Sequence, residues 1–327
     1  MIPQVIGISL VTFVIVRLLP ANPAYALAGP TATEESIRQI EVRLGLDKPL
    51  FTQFWTYLKN LFQGDLGNSF VSGRPVLDDI FSRLPATLEL LFLGLFFALL
   101  LGVPLGVLGA LRGAKKGLLA RFTSGYGLLA GAIPDFWLGL ILIYFFYSVL
   151  GIAPPPLGQL GTMVAAPSAV TGIATLDSLL AGNWPAFKSS VSHLVLPLIT
   201  IVFVYMAPIV KFTRSSVADV YFQSAFIEQY RANGIPNKII VRRALRNGLP
   251  PVITIVGVLF GFLLGGLVLV ESVFAWGGFG QYAVQAITNA DFSAIQGVVI
   301  VSAVFNLIVY LVVDLLYFVV DPRLRTQ

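Results

Sequence analysis

Long apolar stretches separated by shorter polar ones dominate the hydrophobic pattern of this chain. A membrane-spanning helix needs roughly 20 mostly apolar residues, and six segments are of this kind. The longest contains Pro134, so we expect a span that is tilted or broken there, because proline removes a backbone donor and kinks a helix. The pattern therefore predicts an all-α polytopic membrane protein with six transmembrane helices. They cover about Ile2–Leu19, Ala86–Leu111, Leu118–Leu150, Leu194–Phe212, Val252–Val270 and Phe292–Val320.

Basic residues are concentrated in alternate loops between the predicted spans. The loops after the second and fourth spans and the C-terminal tail carry several, whereas the loop after the third has only Lys188 and the loop after the fifth has none. Loops rich in lysine and arginine stay on the cytoplasmic side of a membrane. We therefore predict that both termini are cytoplasmic. The basic residues are Arg112, Lys115, Lys116, Arg121, Lys211, Arg214, Arg231, Lys238, Arg242, Arg243, Arg246, Arg323 and Arg325.

The stretch between the first and second predicted spans has a helical pattern. Thr33 can cap a helix whose first turn holds two glutamates, and Gly45 fits the left-handed position at which a helix ends. We therefore predict a small helical subdomain on the external face. The predicted domains are 1–85 for the first span with this segment, 86–320 for a core of five helices with a cytoplasmic coupling loop at 211–250, and 321–327 for a cytoplasmic tail.

The composition supports a membrane protein and excludes several kinds of chemistry. Hydrophobic residues make up 57% of the 327 residues and charged residues 11%, against about 25% charged in a typical soluble domain. The chain has no cysteine, which excludes disulfides, iron–sulfur clusters and thiolate metal sites, and its one histidine is His193. We therefore predict no metal site, no bound cofactor and no catalytic residue. The net charge of +5 is explained by cytoplasmic loops rather than by nucleic acid.

The loop at 211–250 has the pattern of two short helices joined by a sharp turn. Ser216, or the serine before it (Ser215), can cap the first helix, and Gly234 is a stop signal. Pro236 prevents that helix from resuming, and the next residue can cap a second, basic helix. The chain therefore carries a soluble-looking insert between two apolar spans.

Three interpretations of this insert are open on physical grounds. A basic loop can rest on anionic lipid headgroups. The outline also imitates a DNA-binding helix–turn–helix, but a recognition helix held within a few residues of two spans can hardly reach a groove. The third interpretation is a docking element for a cytoplasmic partner, because a short helix joined rigidly to two spans can pass motion to the membrane domain.

The insert resembles the EAA loop of ABC-importer permeases. That pattern has Glu-Ala-Ala, a glycine six residues after the glutamate, and later Ile-x-Leu-Pro; here Glu228 stands six residues before Gly234. Gln229 and Tyr230 replace the alanines, Ala244 occupies the isoleucine position, and the Leu-Pro pair comes three residues late. The run RANGIPNKIIVRRALRNGLPPVIT is more similar to the dipeptide/oligopeptide/nickel branch, with its Ala-Lys-Gly turn followed by basic-Ala-Leu-Arg-Asn.

Other blocks along the chain resemble the same branch. GISLVTFVIVRLLPANPA is similar to its first span and exit, and the stretch from LGLDKPLF to LPATLEL resembles its external segment. IPDFWLGLIL and the run from DFSAIQGVV to VVDPRLR resemble its third-span motif and its last span with tail. The resemblance implies the type I importer permease fold in a prokaryotic inner membrane. It also implies a pathway, formed with a second related permease, for peptides, a nickel complex, a glutathione-like compound or an opine.

The resemblance implies partners as well. Two cytoplasmic ATPase subunits bind ATP and Mg, an external solute-binding protein delivers the substrate, and lipid surrounds the chain, with no role for nucleic acid. The sequence lacks a G-x-x-x-x-G-K-[ST] phosphate loop, in agreement with separate ATPase subunits. A coupling helix after the fourth span sits in a groove of one ATPase. Carried onto this sequence, the coupling residues are Ala225, Glu228, Gln229, Arg231, Ala232, Gly234 and Ile235.

Charged residues inside spans suggest a transport pathway, because they are costly in lipid. Glu89 in the second span and Asp135 in the third are the candidates. Glycines four residues apart predict close helix packing, either within the chain or against the second permease. Gly102 and Gly106 form one such pair, and a second series with the same spacing begins at Gly257. The rival function is an ATP-independent secondary transporter or channel, which needs intramembrane ion or proton sites, and the chain offers few.

Overall fold

The structure is a computed structural model that describes residues 2–18, 23–29, 32–112 and 118–320. Within those ranges every regular element is a helix, apart from one isolated antiparallel bridge between Asn68 and Pro75. The predicted all-α fold class is confirmed. The helices are α1 (Ile2–Leu18), α2 (Pro23–Ala28), α3 (Glu34–Leu44), α4 (Leu50–Phe62), α5 (Val76–Arg112), α6 (Leu118–Ala132), α7 (Asp135–Leu142), α8 (Ala174–Leu180), α9 (Trp184–Gln223), α10 (Ala225–Ala232), α11 (Asn237–Gly248), α12 (Pro250–Val273), α13 (Phe279–Thr288) and α14 (Phe292–Val320).

Several helices are long and apolar enough to cross a membrane. In the part of the chain that the structure describes, α5, α9, α12 and α14 meet this condition singly, and α6 with α7 adds a fifth span if the bent pair is counted as one. The first predicted span corresponds to α1, which is apolar and 17 residues long. The multi-span character is confirmed, with four or five long spans. The basic residues within 113–117 and the tail at 321–327, both predicted to be cytoplasmic, lie outside the described residues.

The third predicted span is broken at Pro134. The axes of α6 and α7 differ by 95° there, and the π-helical segment Ile143–Val149 continues α7. Pro134 has extended backbone angles, φ −62 and ψ 141, and has no N–H to continue the hydrogen-bond ladder. The carboxylate Oδ1 of Asp135 then accepts a hydrogen bond from the N–H of Phe136 at 2.7 Å. Of the two predicted outcomes, tilt or break, the break is confirmed.

Contacts divide the described residues into two compact units. The predicted domains were drawn from membrane topology rather than from contacts. The predicted domain division therefore stays a prediction. The first unit draws on Met1–Thr87 and Gly277–Leu307, and the second on Leu88–Trp276 and Ile308–Gln327.

The first unit contains the helical segment predicted after α1. Thr33 Oγ1 accepts a hydrogen bond from the Ser36 N–H at 3.3 Å, and Gly45 ends α3 with φ 67. Both predicted helix ends are confirmed. α1 packs against α4, where the ring centroid of Phe13 lies 5.3 Å from that of Phe54.

A buried carboxylate joins distant loops of the first unit. Asp291, which is 1% exposed, accepts hydrogen bonds from the Ser69 hydroxyl at 2.6 Å and from the Phe70 N–H at 2.9 Å. An apolar core formed by α5, α13 and α14 belongs to the same unit. Its buried residues are Val76, Ile80, Phe279, Tyr282, Ala286, Ala294 and Val298.

The second unit is organised around α9, which packs against α6, α7, α8, α10, α11 and α12. Glycines allow α5 to approach it closely. A Cβ at Gly102 would lie 3.0 Å from Cγ2 of Ile209, and one at Gly106 would lie 2.6 Å from Cβ of Thr213. A Cβ at Gly257 of α12 would likewise lie 2.8 Å from Val313 of α14. These small-residue faces therefore pack within the chain.

The predicted start of the cytoplasmic helix at Ser215 or Ser216 is wrong. α9 continues without interruption to Gln223, because no glycine or proline occurs in that stretch. The Ser216 hydroxyl donates to the carbonyl oxygen of Gly248 at 2.5 Å instead of capping a helix. The break lies at Ser224, which has extended angles φ −81 and ψ 127, and α10 begins at the next residue.

Candidate functional site

Helices α10 and α11 form a compact pair that follows α9, and Gly234 sets the turn between them. Its backbone is left-handed, with φ 68. The N–H of Gly234 donates to the carbonyl oxygen of Arg231 at 3.1 Å, and the N–H of Ile235 donates to that of Tyr230 at 3.0 Å. Two carbonyl groups in the last turn of α10 are thereby satisfied, as at other left-handed helix ends. The predicted glycine stop is confirmed.

An apolar cluster holds the α10–α11 pair against α9. Ile227 and Ala244 are 0% exposed and Ile240 is 3% exposed. Full burial of an isoleucine side chain stabilises by about 1.5–3 kcal/mol, so the pair is a packed unit rather than a loose loop. The partly buried side chains around these three are Val220, Tyr221, Phe226, Tyr230 and Ile235.

Tyr221, near the end of α9, contacts both helices of the pair. Its carbonyl oxygen accepts a hydrogen bond from Nη2 of Arg231 at 2.8 Å, and that guanidinium lies 4.7 Å from the centroid of the Tyr221 ring. The Tyr221 hydroxyl donates to Oδ1 of Asn237 at 2.9 Å. The sequence assigned no functional role to Tyr221, because no local pattern links it to a residue ten positions away.

The accessible surface of α10 carries most of the predicted coupling residues. Ile235 is the exception, since it is half-buried and packs against the apolar cluster. The accessible set includes a carboxylate, an amide and a guanidinium, which can form charge-assisted hydrogen bonds with a partner. The exposed members are Ala225, Glu228, Gln229, Arg231, Ala232 and Gly234.

The far end of α11 is fixed to α9 as well. A Cβ at Gly248 would lie 3.0 Å from Cα of Val217, so glycine allows the two backbones to approach closely. The hydrogen bond from Ser216 to the Gly248 carbonyl oxygen adds a polar contact at the same place. α12 begins almost at once, at Pro250. The α10–α11 pair is therefore joined to two long helices.

A second candidate site is a cavity of about 1160 Å³ within the second unit. Small-molecule sites have volumes of about 300–1,000 Å³, so this cavity has room for a small solute. Residues of α6, α7 and α12 form part of its wall, and one face of α9 forms the rest. The α9 residues on that face include Val204, Pro208, Lys211, Ser215 and Ala218.

The two predicted pathway carboxylates have different surroundings. Asp135 lines the cavity at the break between α6 and α7. Glu89 does not line it; its side chain is 5% exposed, and its carboxylate accepts a hydrogen bond from the Thr175 hydroxyl of α8. A pathway role stays a prediction for both. The sequence did not single out Tyr205, which also lines the cavity, because its only signal is a position within an apolar helix.

Neither candidate site has the ligands of a metal centre. No group of three or more His, Cys, Asp or Glu side chains that could hold a metal comes together in the part of the chain covered by the structure. Nδ1 of His193 lies 2.8 Å from the carbonyl oxygen of Ser189 in its own helix. That this chain binds no cofactor stays a prediction.

Comparison with known families covers both parts of the chain. Residues 102–326 match the family described as binding-protein-dependent transport system inner membrane component. Residues 2–91 match the N-terminal family of such membrane components. The first match alone covers more than half of the 327 residues. The chain belongs to this family of transport permeases.

Individual relatives agree with this assignment. The permease is 42% identical over 322 residues to the probable D,D-dipeptide transport system permease protein DdpB of Escherichia coli K12, covering 98% of this chain and 93% of the relative. It is 37% identical over 329 residues to the dipeptide transport system permease protein DppB of the same strain, with coverage of 99% and 96%. It is 33% identical over 327 residues to the glutathione transport system permease protein GsiC of Escherichia coli O6:H1, again covering 99% and 96%.

A solved structure supports the fold. A chain of the MetNI methionine ABC transporter, in an inward-facing conformation, aligns with a TM-score of 0.53 at 18% identity, covering 72% of this permease and 93% of that chain.

These matches assign the protein to a class of transporter. The chain is a multi-pass inner-membrane permease component of an ABC importer, a class that works with ATPase and solute-binding partners. Its relatives are permease subunits and are not themselves enzymes. The rival function, an ATP-independent secondary transporter or channel, is not favoured.

Proposed function

We propose that this permease carries dipeptides or closely related small compounds into the cell. Three relatives are named as permeases for D,D-dipeptides, dipeptides and glutathione. These compounds share a free ammonium group and a free carboxylate, separated by one or more amide bonds. The shared chemistry supports a short peptide-like zwitterion as the substrate class, ahead of a nickel complex or an opine.

Coupling to ATP is proposed to act through the α10–α11 pair. The exposed side chains of α10 enter a groove on a cytoplasmic ATPase, where Glu228, Gln229 and Arg231 supply polar contacts. The contact between Arg231 and Tyr221, together with the apolar cluster, fixes the pair to α9. A displacement of α10 is therefore passed to α9 and α12, and this attachment is the observation that carries the proposal. The proposed coupling set is Ala225, Glu228, Gln229, Arg231, Ala232, Gly234 and Ile235.

The proposed topology has six spans, with α1 as the first and the bent α6–α7 pair as the third. With 17 residues, α1 is about 26 Å long, close to the roughly 30 Å of a bilayer core. Lys238, Arg242 and Arg243 are exposed on α11, and the positive-inside rule favours a cytoplasmic position for them, next to anionic lipid headgroups. Both termini are then cytoplasmic, and the segment α2–α4 is external.

The proposed assembly contains a second, related permease, two cytoplasmic ATPase subunits and a periplasmic solute-binding protein. ATP and Mg bind to the ATPase subunits. The lack of a phosphate-loop motif in this sequence supports that division of labour. Lipid surrounds the spans, and no role for nucleic acid is proposed.

Reconstitution of the complete assembly tests this function. The permease is co-expressed with the second permease and the ATPases, purified, and placed in liposomes with the binding protein and a labelled dipeptide. We expect uptake that requires ATP and that stops when the phosphate-loop lysine of the ATPases is replaced. Uptake that persists without ATP, or a permease that never copurifies with an ATPase, would contradict the proposal.

A further inference from the structure

The cavity in the second unit carries both signs of charge. Asp135 lines it where α6 meets α7, and Lys211 and Arg214 line it further along α9. Asp219 also lines the α9 wall, so the formal charge of that basic end is 2 − 1 = +1. The walls between the charges are mostly apolar and include Leu259 and Phe262.

These charges indicate water or solute, rather than lipid, in the cavity. Ionisable side chains within membrane spans face a bundle interior or an aqueous cavity, because hydrocarbon does not solvate them. Among the charged side chains that line the cavity, Asp135 lies within the predicted third span, whereas Lys211, Arg214 and Asp219 lie at the proposed cytoplasmic end of α9. The cavity extends from inside the span toward that end. The cavity therefore has the surroundings of a transport pathway.

Three helices meet at the acidic end. A Cβ at Gly266 of α12 would lie 3.0 Å from Oδ2 of Asp135 and would also touch the hydroxyl of Tyr205 from α9. Glycine at this position therefore leaves room for both the carboxylate and the hydroxyl beside the backbone of α12. The other carboxylate oxygen, Oδ1, accepts the N–H of Phe136. A carboxylate next to a hydroxyl provides the acceptors that an ammonium group requires.

The distance between the two ends fits a short peptide. Lys211 comes six residues after Tyr205 on α9, which is about 9 Å along the helix, and Arg214 comes nine residues after it, about 14 Å. An extended peptide spans about 3.3–3.6 Å per residue, so two to four residues cover about 7–14 Å.

We infer that this cavity binds a short peptide, with its ammonium group between Asp135 and Tyr205 and its carboxylate toward Lys211 and Arg214. The inference rests on the proposed function and deepens it. The permease itself then recognises the two terminal charges, in addition to any selection by the external binding protein. The apolar walls accept varied side chains, because they offer few directed polar contacts.

The acidic end is tested by a thermodynamic cycle in which the ammonium charge of the peptide and the charge of Asp135 are removed separately and together. Binding of alanylalanine and of N-acetyl-alanylalanine is measured on the purified permease–ATPase complex in nanodiscs, without nucleotide or binding protein. The wild type should prefer the free amine about tenfold or more, and Asp135→Asn should remove most of that preference. Asparagine keeps an acceptor oxygen for the Phe136 N–H, so the start of α7 is retained. A wild type that binds both peptides equally, or that binds neither, overturns the inference.

The basic end is tested by a matching cycle that removes the carboxylate charge of the peptide and the charge of Lys211. Lys211→Gln should weaken binding of alanylalanine more than binding of its C-terminal amide. The control is Asp78→Asn, an exposed carboxylate of α5 that does not line the cavity, and it should leave both preferences unchanged.

If uptake by the wild type depends on ATP but Asp135→Asn weakens binding of both peptides equally, the inference fails and the proposed function stands. If uptake of every peptide is independent of ATP, the proposed function fails, whatever the binding cycle gives.

Discussion

Nη2 of Arg231 in α10 donates a hydrogen bond to the carbonyl oxygen of Tyr221 in α9 at 2.8 Å, across the break at Ser224. The last four carbonyl groups of a helix have no partner within that helix, and Tyr221 lies in this final turn. A positive charge there also interacts favourably with the helix dipole. Arg231 therefore caps one helix while belonging to the next, which joins α10 to α9 despite the break in the backbone.

Replacing Tyr221 tests this connection without altering the exposed surface of α10. Tyr221→Leu removes the ring beneath the Arg231 guanidinium and the hydroxyl that bonds Asn237. Contacts of these kinds contribute about 0.5–1.5 kcal/mol each, enough to loosen the pair without unfolding the chain. We expect the ATPases to copurify normally while peptide uptake per ATP hydrolysed falls several-fold, measured in proteoliposomes.

A conservative variant separates the two side-chain contacts of Tyr221, the ring against Arg231 and the hydroxyl bonded to Asn237. Tyr221→Phe keeps the ring under Arg231 and loses only the hydroxyl, so it should retain most of the coupling. Full coupling in Tyr221→Leu would show that the side-chain contacts of Tyr221 are not needed to transmit motion.

Gly234→Val should uncouple ATP hydrolysis from uptake. The φ of 68 at this position costs a residue with a Cβ about 1–2 kcal/mol, and a β-branched side chain tolerates it poorly. A Cβ here would meet no described atom within 4 Å, so the effect comes from the backbone alone. The variant should insert into the membrane and bind its partners, but ATP-driven uptake should be lost.

Two controls accompany that variant. Gly234→Asn should be milder, because asparagine adopts the left-handed conformation more readily. Gly265→Ala in α12, where an added Cβ would likewise meet no described atom within 4 Å, should be neutral. ATP-driven uptake at the wild-type rate in Gly234→Val would exclude a role for this turn in coupling.

Gly106→Leu should separate α5 from α9. A Cβ at Gly106 would lie 2.6 Å from Cβ of Thr213 and 2.9 Å from the backbone oxygen of Val210, so the backbone itself must shift. Overpacking of this kind costs about 1–3 kcal/mol. We expect a lower midpoint of thermal unfolding in detergent and a lower yield of folded permease. Gly131→Ala, with no described atom within 4 Å of an added Cβ, is the control and should behave as the wild type.

Local signals in the sequence were sufficient for features that depend on one stretch of chain. Pro134 predicted a tilt or a break in the third span, because proline acts on its own helix, and the structure shows the break. Thr33 and Gly45 predicted the two ends of α3 through hydrogen bonds made within a few residues. Gly234 predicted its turn for the same reason.

Features that depend on contacts between distant residues could not be predicted in this way. The Ser216 hydroxyl, which could have capped a new helix, instead donates to the carbonyl oxygen of Gly248, 32 residues away. Asp291 holds Ser69 across 222 residues of sequence. The cavity beside Asp135 is formed by faces of several apolar helices, whose periodicity alone does not say which faces meet.

Asp177 in α8 holds the preceding loop in place. Its carboxylate is 2% exposed and accepts four hydrogen bonds, from the N–H groups of Val170, Thr171 and Gly172 and from the Thr171 hydroxyl, at 2.7–3.2 Å. Burial raises the pKa of Asp177, but the hydrogen bonds together outweigh it and hold the pKa below its usual value. Each such bond to a charged group contributes about 1.5–3 kcal/mol.

The lowered pKa fixes the direction of the pH dependence. A carboxylate with a lower pKa in the folded state stabilises the fold fully above its ordinary pKa of about 3.9 and loses this contribution as the pH falls through the folded value. The loop should therefore be insensitive to pH near 7. Asp177→Asn removes the charge and one acceptor oxygen, so amide hydrogen exchange at Thr171 and Gly172 should be about tenfold faster at pH 7, with a weaker response to acid. Asp78→Asn, at an exposed site in α5, is the control and should leave this exchange unchanged. Equal exchange rates in the wild type and in Asp177→Asn would mean that the carboxylate does not order the loop.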